Sequence, residues 1–96
     1  MKVHLRPEAE VDIEEAATWY AQQRDGLGDE FLDEVSRAFT LLANNPCMYP
    51  IIYRDTRRAL IHRFPFGAHY RIEESTIVVV AVMHGSRHPK RWKDRT

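Results

Sequence analysis

The sequence predicts an α+β fold in which a helical hairpin packs on one face of a sheet. Apolar residues recur at helical spacing in the first half of the chain and at strand spacing in the second half. Seven consecutive apolar residues, Ile77–Met83, indicate a strand at the centre of the sheet. The predicted order is strand, helix, helix, strand, strand, strand, the last three forming an antiparallel meander. Residues 1–96 are expected to form one domain.

The first elements are a short strand and a helix. Residues 3–5 alternate in polarity, which is enough for one strand. Pro7 suits the first position of a helix, and the acidic residues after it favour the positive end of the helix dipole. Apolar residues then recur at helical spacing, so the helix is predicted for residues 7–23. Trp19 lies at the rim of the apolar face, where a partner could contact it.

The second helix follows a tight reversal at the glycine-rich residues 25–28. It is predicted to end at the helix-terminating cluster Asn44-Asn45-Pro46. Its apolar residues form one stripe: Leu27, Phe31, Val35, Ala38, Phe39 and Leu42. The short connection predicts an antiparallel hairpin whose apolar faces point toward the sheet.

Beyond Pro50 the apolar period becomes that of strands. Strands are predicted for residues 57–64 and 68–72, with a turn at residues 65–67 between them. A second turn at residues 73–75 leads into Ile77–Met83. Because that run is short and mostly β-branched, it is expected to be buried on both faces.

Charge is distributed unevenly along the chain. Residues 1–48 contain four Lys/Arg and ten Asp/Glu, a net charge of −6, whereas residues 49–96 contain ten and four, a net charge of +6. This asymmetry indicates an anionic partner for the basic half, such as nucleic acid or an acidic protein segment. The alternative is that the two halves neutralise each other in the fold.

Composition indicates the cytoplasm. Cys47 is the single cysteine, which excludes an internal disulfide and fits a reducing compartment. The first residues form no apolar leader, and no apolar run approaches the length of a membrane span. We therefore expect a cytoplasmic protein with no membrane partner.

The strand Ile77–Met83 leads directly into a cluster of imidazole and guanidinium groups. His84 is expected to project from the same face as Val78, Val80 and Val82. A group that titrates near neutrality beside fixed cations is what metal-independent phosphate chemistry requires. If the chain is a nuclease, its candidate catalytic residues are His84, Arg87, Arg58 and Tyr70. The alternative is a hydrogen-bonded histidine at a strand end beside surface arginines.

Other kinds of site have little support in the sequence. His84 and His88 are four positions apart, but Gly85 and Pro89 argue against a shared helix face, so no metal site is assigned. No cofactor is expected, since the glycines match no phosphate-binding loop. The tail at residues 87–95 places five cations around Trp92. Such a tail can grip phosphates, dock on a protein or keep the terminus soluble.

Short motifs follow one another in a specific order along nearly the whole chain. They are R-P-E-A-E-x-D-I at 6–13, W-Y at 19–20, G-L-G-D-E-F at 26–31, N-P at 45–46, R-R-A-L-I-H-R-F-P-F at 57–66, Y-R-I at 70–72 and V-V-A-V-M-H-G-S-R-H-P-K-R-W at 79–92. Together they resemble the ParE/RelE superfamily of type II toxin–antitoxin toxins, in its ParE-like plasmid-stabilisation branch. The resemblance implies a RelE/ParE-like fold, a small sheet that cradles a helical hairpin.

The resemblance also implies a function. ParE-like members inhibit growth by poisoning DNA gyrase, whereas RelE-like members are ribosome-dependent mRNA endonucleases that use Arg or Lys with a Tyr or His near the C-terminus. No tyrosine follows Arg87, and the indole of Trp92 cannot exchange a proton at physiological pH. Gyrase is therefore the expected target. The alternative is a metal-independent endoribonuclease acting on ribosome-bound mRNA, with His84 in place of the tyrosine.

Two sets of binding residues are predicted on this basis. The target-binding set is Arg57, Arg58, Arg63, His84, Arg87, Lys90, Arg91 and Trp92. The second partner is a cognate antitoxin, a DNA-binding protein of the ParD or RelB type. It is expected to wrap the toxin and bury Trp19, Tyr20 and Phe66, because buried aromatic residues tend to dominate interface energies.

Overall fold

Five strands and three helices follow one another in the computed structural model, which describes residues 1–96. The strands are β1 (Lys2–Leu5), β2 (Ile51–Tyr53), β3 (Thr56–Leu60), β4 (Phe66–Glu73) and β5 (Thr76–His84). The helices are α1 (Pro7–Gln23), α2 (Leu27–Asn44) and α3 (Lys90–Lys93). The predicted α+β class is confirmed. The short elements β2 and α3 are additions to the predicted order.

The strands form one mixed sheet with the spatial order β1-β5-β4-β3-β2. β1 runs parallel to β5, and the other neighbours are antiparallel, which confirms the meander. β5 lies between two strands, and its residues 77–83 are all buried, as the uninterrupted apolar run predicted. The predicted strand at 57–64 is too long, because β3 ends at Leu60. Residues 61–65 make the turn, and β4 already begins at Phe66, where a turn was predicted.

The helical hairpin covers one face of the sheet and encloses the main core. Gly26 adopts the left-handed conformation, with φ of 82°, and so reverses the chain between α1 and α2. The helices then approach closely: a Cβ on Gly28 would lie 2.6 Å from the carbonyl oxygen of Ala17. The predicted α2 stripe faces this core, with Phe31, Val35 and Leu42 buried.

The opposite, outer face of the sheet is partly covered by the C-terminal segment. α3 places Trp92 on this face with only 7 % of its surface exposed. The indole packs with Val78, Val80, Ala81 and Met83 to form a second, smaller core. None of the three helices has both the length and the apolar character needed to cross a membrane.

β5 contains one residue more than the segment of β4 that it pairs with. His69 lies opposite Ala81 but Tyr70 lies opposite Val79, so Val80 is the extra residue of a β-bulge. Beyond the bulge the side chains exchange faces. Val82 therefore belongs to the main core, whereas Val80 belongs to the outer one.

This bulge overturns one prediction about the end of the strand. A regular strand would place His84 on the same face as Val78 and Val80. The bulge changes the phase between them, and His84 instead lies beside Phe66 and the helix side of the sheet. The predicted shared face is therefore wrong for Val78 and Val80, whereas Val82 does lie on the same side as His84.

Candidate functional site

His84 is fixed in place at the end of β5. Its Nδ1 accepts a hydrogen bond from the Ser86 backbone N–H at 3.0 Å and lies 2.7 Å from Ser86 Oγ. The ring meets Phe66 edge-on, with 5.4 Å between centroids. Gly85 N–H donates to the carbonyl of Pro65 at 2.8 Å, which holds the turn against the start of β4. Nε2 makes no hydrogen bond within the chain and is the ring nitrogen open to a partner.

A groove of about 640 Å³ lies between α1 and the end of β5. We call it the helix-side groove. Its apolar lining consists of Ala16, Trp19, Tyr20, Pro65, Phe66, Val82 and Met83. Its polar lining consists of Asp12, Glu15, His84, Ser86, Arg87, Arg91 and Arg95. An apolar floor with charged walls of both signs suits an amphipathic protein segment.

The edge of β5 inside this groove has no strand neighbour. β1 pairs with β5 only as far as Val79, because the chain turns into α1 at Pro7. Beyond that point side chains satisfy the backbone: Val82 N–H donates to Asp12 Oδ2 at 3.0 Å, and Arg95 Nη1 donates to the Val80 carbonyl at 3.2 Å. The exposed edge is thereby protected from pairing with another strand.

A second pocket opens on the outer face of the sheet. We call it the outer-face pocket, and its principal lining residues are Arg58, Leu60, His69, Met83, Arg87 and Trp92. Gly67 gives it room, since a Cβ at that position would lie 2.8 Å from Cδ of Arg58. The absence of a side chain at Gly67 thus lets the Arg58 stem lie over β4.

His69 lies at the floor of the outer-face pocket and was not among the predicted site residues. It is 3 % exposed and stacks on Trp92, with 4.3 Å between centroids and 20° between ring planes. Burial, followed by the positive charge of Arg58, lowers the pKa of His69 from 6.5 to about 4. The nearby Ala81 backbone raises the pKa and so opposes this shift. Its effect is smaller than those of burial and of Arg58, and neither ring nitrogen has a partner in hydrogen-bond geometry. The imidazole is therefore neutral at pH 7.

The structure brings one part of the predicted target-binding set together. His84 and Arg87 line both the helix-side groove and the outer-face pocket. Arg91 joins them in the groove, and Arg58 joins them in the pocket. Lys90 is exposed on α3 and pairs with Asp94 at 3.2 Å.

Arg57 and Arg63 of that set lie elsewhere, and Trp92, which lines the pocket, is largely buried. Arg57 Nη1 donates to the carbonyl of Tyr49 at 2.5 Å, so this arginine anchors the loop after α2. Arg63 pairs with Glu30 at 2.8 Å. The ring of Trp92 is part of the outer core rather than a free surface.

Tyr70, a candidate catalytic residue of the nuclease alternative, is fully buried in the main core. Its hydroxyl donates to the carbonyl of Pro46 at 2.8 Å. Burial raises the pKa of Tyr70 above its ordinary value. In this position it fastens the loop after α2, and it does not line either the groove or the pocket.

The predicted antitoxin-binding aromatics are neighbours at the helix-side groove. Trp19 is 56 % exposed and meets Tyr20 edge-on, with 5.1 Å between centroids. Tyr20 in turn lies 6.0 Å from Phe66. The three rings thus form one continuous surface, although their role in binding stays a prediction.

The comparisons with known proteins agree with this architecture. Residues 3–89 match the family described as the ParE toxin of type II toxin–antitoxin system, parDE. A solved structure, described as a chromosomal ParDE toxin–antitoxin system from P. aeruginosa, superposes with a TM-score of 0.73 at 18 % identity. The match covers 88 % of this chain and 95 % of the other, and at that identity it shows a shared fold. No curated protein matches the sequence.

Proposed function

We propose that this chain, which belongs to the ParE toxin family of type II toxin–antitoxin systems, poisons DNA gyrase. We also propose that a cognate antitoxin neutralises it. In this proposal the end of β5 meets the target in the cytoplasm. The helix-side groove receives the antitoxin, a DNA-binding protein of the ParD type.

Three unpaired arginines near the end of β5 support a negatively charged target. Arg58, Arg87 and Arg91 are exposed and take part in no ion pair of the chain. By contrast, Arg63 and Arg95 are paired with acidic residues of the helices. Guanidinium groups that are not neutralised internally favour an acidic partner surface.

Cleavage of ribosome-bound mRNA is the alternative within the superfamily. It needs a proton-transfer group beside the cations. The burial of Tyr70 weakens this alternative, because its hydroxyl already donates to Pro46 and Tyr70 does not line the groove or the pocket that contain Arg58 and Arg87. The outer-core position of Trp92 removes the one aromatic ring of the basic tail on which a base could stack. His84 is then the residue on which the alternative depends.

The helix-side groove supports an antitoxin that buries aromatic residues. Trp19 exposes a large apolar ring at its end, and Tyr20 and Phe66 continue that surface. Aromatic anchors surrounded by charged walls are typical of the residues that dominate interface energies. An antitoxin segment that buries them would also neutralise Arg87 and Arg91.

Expression of the chain alone from a tightly repressed promoter tests the target. Gyrase poisoning should produce DNA breaks and filamentous cells while protein synthesis continues. RNA cleavage should instead stop amino-acid incorporation within minutes. A purified-gyrase assay completes the test, because a poison makes linear DNA accumulate from a supercoiled plasmid.

Stable, folded protein that neither slows growth nor linearises plasmid DNA would contradict the proposal. The neighbouring reading frame supplies the control for the antitoxin. A small DNA-binding protein encoded there should restore growth when it is expressed together with this chain.

A further inference from the structure

His69 is a buried polar group without a partner. Only 3 % of its surface is exposed, and neither Nδ1 nor Nε2 makes a hydrogen bond. Leaving such a group unsatisfied destabilises the folded state, so buried polar groups in proteins are nearly always hydrogen-bonded. The neutral ring retains one N–H to donate. The ring is one of the groups that line the outer-face pocket, and it lies directly beneath the indole of Trp92.

The outer-face pocket combines this donor with two guanidinium groups. Arg58 reaches it over Gly67, and Arg87 reaches it from the turn after β5. No acidic side chain is among the residues that line the pocket. Because guanidinium forks match carboxylate and phosphate oxygens, such a donor set suits an oxyanion.

The remaining surface of the pocket is apolar. Leu60 is 62 % exposed at its rim, although it lies on a strand, and Met83 forms part of its wall. Trp92 is held flat against His69 and offers no free face for a nucleobase. A carboxylate that arrives on an apolar chain segment therefore fits the pocket better than a phosphodiester with its sugar and base.

We infer that the outer-face pocket binds an Asp or Glu side chain that a partner protein presents between apolar residues. The carboxylate oxygens accept hydrogen bonds from Arg58 and Arg87 and from the ring N–H of His69. The flanking apolar residue packs on Leu60 and Met83. This binding site does not depend on whether gyrase is the target, since it requires only an acidic side chain in an apolar context.

Titration of the isotope-labelled full chain with short peptides tests this site by NMR. The probe is N-acetyl-Leu-Glu-amide, its uncharged control is N-acetyl-Leu-Gln-amide, and dimethyl phosphate represents the nucleic-acid backbone. The Trp92 indole N–H and the His69 ring resonances report on the pocket because the two rings are stacked. The glutamyl peptide should shift them saturably, and the glutaminyl peptide should bind about tenfold more weakly.

Variants assign the binding to the proposed residues. Arg58→Gln and Arg87→Gln should each weaken binding of the glutamyl peptide about tenfold. Arg54→Gln is the matched control, because Arg54 is exposed but does not line the pocket. His69→Phe keeps an aromatic ring to stack on Trp92 but removes the N–H, so it should weaken binding while the melting curve shows a folded protein.

Several results would overturn the inference. Equal affinity for the glutamyl and glutaminyl peptides would exclude recognition of the charge, and wild-type affinity in folded Arg58→Gln or His69→Phe would exclude the proposed donors. Saturable binding of dimethyl phosphate without binding of the glutamyl peptide would make the pocket a phosphate site. Shifts that grow linearly without saturation would show that no pocket is occupied.

Discussion

Arg95 and Asp12 meet across 83 positions of sequence, with Nη1 of the arginine 2.6 Å from Oδ2 of the aspartate. The same carboxylate oxygen accepts the backbone N–H of Val82. This contact ties the C-terminal segment to α1 and to the free edge of β5. Because the segment also places Trp92 on the outer face, the last residues of the chain are held on both sides of the central strand.

Asp12→Ala should lower the free energy of unfolding by about 1–3 kcal/mol, since it leaves the Val82 N–H and the Arg95 guanidinium without their acceptor. Asp12→Asn keeps an oxygen for the N–H and should cost less. Urea unfolding measures both, with Glu14→Ala as an exposed control on the same helix. Hydrogen exchange at the Val82 amide should accelerate in Asp12→Ala. Equal stability of the two Asp12 variants would contradict a role for the backbone bond.

Gly28→Ala should destabilise the folded chain, whereas Gly67→Ala should not. A Cβ at Gly28 would meet the backbone carbonyl of Ala17 at 2.6 Å, so the helices must separate, at a cost of about 1–3 kcal/mol. A Cβ at Gly67 would meet only the flexible stem of Arg58, at 2.8 Å. That change should leave the chain as stable as before or stabilise it by up to about 1 kcal/mol. Thermal melting of the two variants measures the difference. Similar losses of stability in both variants would contradict the close approach of α1 and α2.

Much of the fold could be predicted because the apolar periods are strong. The long helices and the buried central strand each follow from a pattern that local packing enforces. Trp92 could not be placed in the same way, since it lies among charged residues in the sequence. Only the tertiary contact with His69 and the outer core gives that residue its position.

The candidate site was less predictable, and the reason is the bulge at Val80. An uninterrupted apolar run carries no alternation, so the sequence does not show where the phase of the strand changes. The face on which His84 emerges depends on that one extra residue. The burial of Tyr70 was equally hidden, because its hydroxyl finds a carbonyl in the distant loop at Pro46.

Arg87→Glu should reduce toxicity about tenfold or more, because reversing a charge at an interface places like charges together. His84→Ala should leave toxicity almost unchanged if the histidine is only structural, and should abolish RNA cleavage if it transfers the proton. Colony counts after induction measure both, with protein levels matched by blotting. Arg54→Glu is an exposed control away from the end of β5. Full toxicity in Arg87→Glu would remove that residue from the target-binding surface.

His69 should make the protein less stable as the pH falls from about 6.5 to about 4. The pKa of the imidazole is about 4 in the folded chain, against an ordinary value of 6.5, so the unfolded chain binds the proton first. The loss over this window is on the order of 3 kcal/mol. Arg58 and Arg95, which oppose protonation of His69, remain charged throughout. Urea unfolding from about pH 7 to about pH 4.5 should show a shallower slope in His69→Phe, and equal slopes would contradict the assignment.

Trp92→Ala should reduce the loss of stability on acidification that His69 causes. Removing the buried indole should cost about 3–5 kcal/mol at neutral pH, because it opens the outer core. It also exposes the ring of His69 to water, so the pKa of the imidazole should return toward its ordinary value. Acidification should then destabilise the variant less than the wild type. The difference in unfolding free energy between them should therefore shrink between about pH 7 and about pH 4.5.

Trp19→Ala provides the control for this comparison, since it removes an indole that is already 56 % exposed. It should change stability little and leave the pH dependence intact. If Trp92→Ala lowers the free energy of unfolding by the same amount at every pH, the indole does not shield His69 from water. In that case the low pKa would have to come from the positive charge of Arg58, and Arg58→Gln would remove the pH dependence in place of Trp92→Ala.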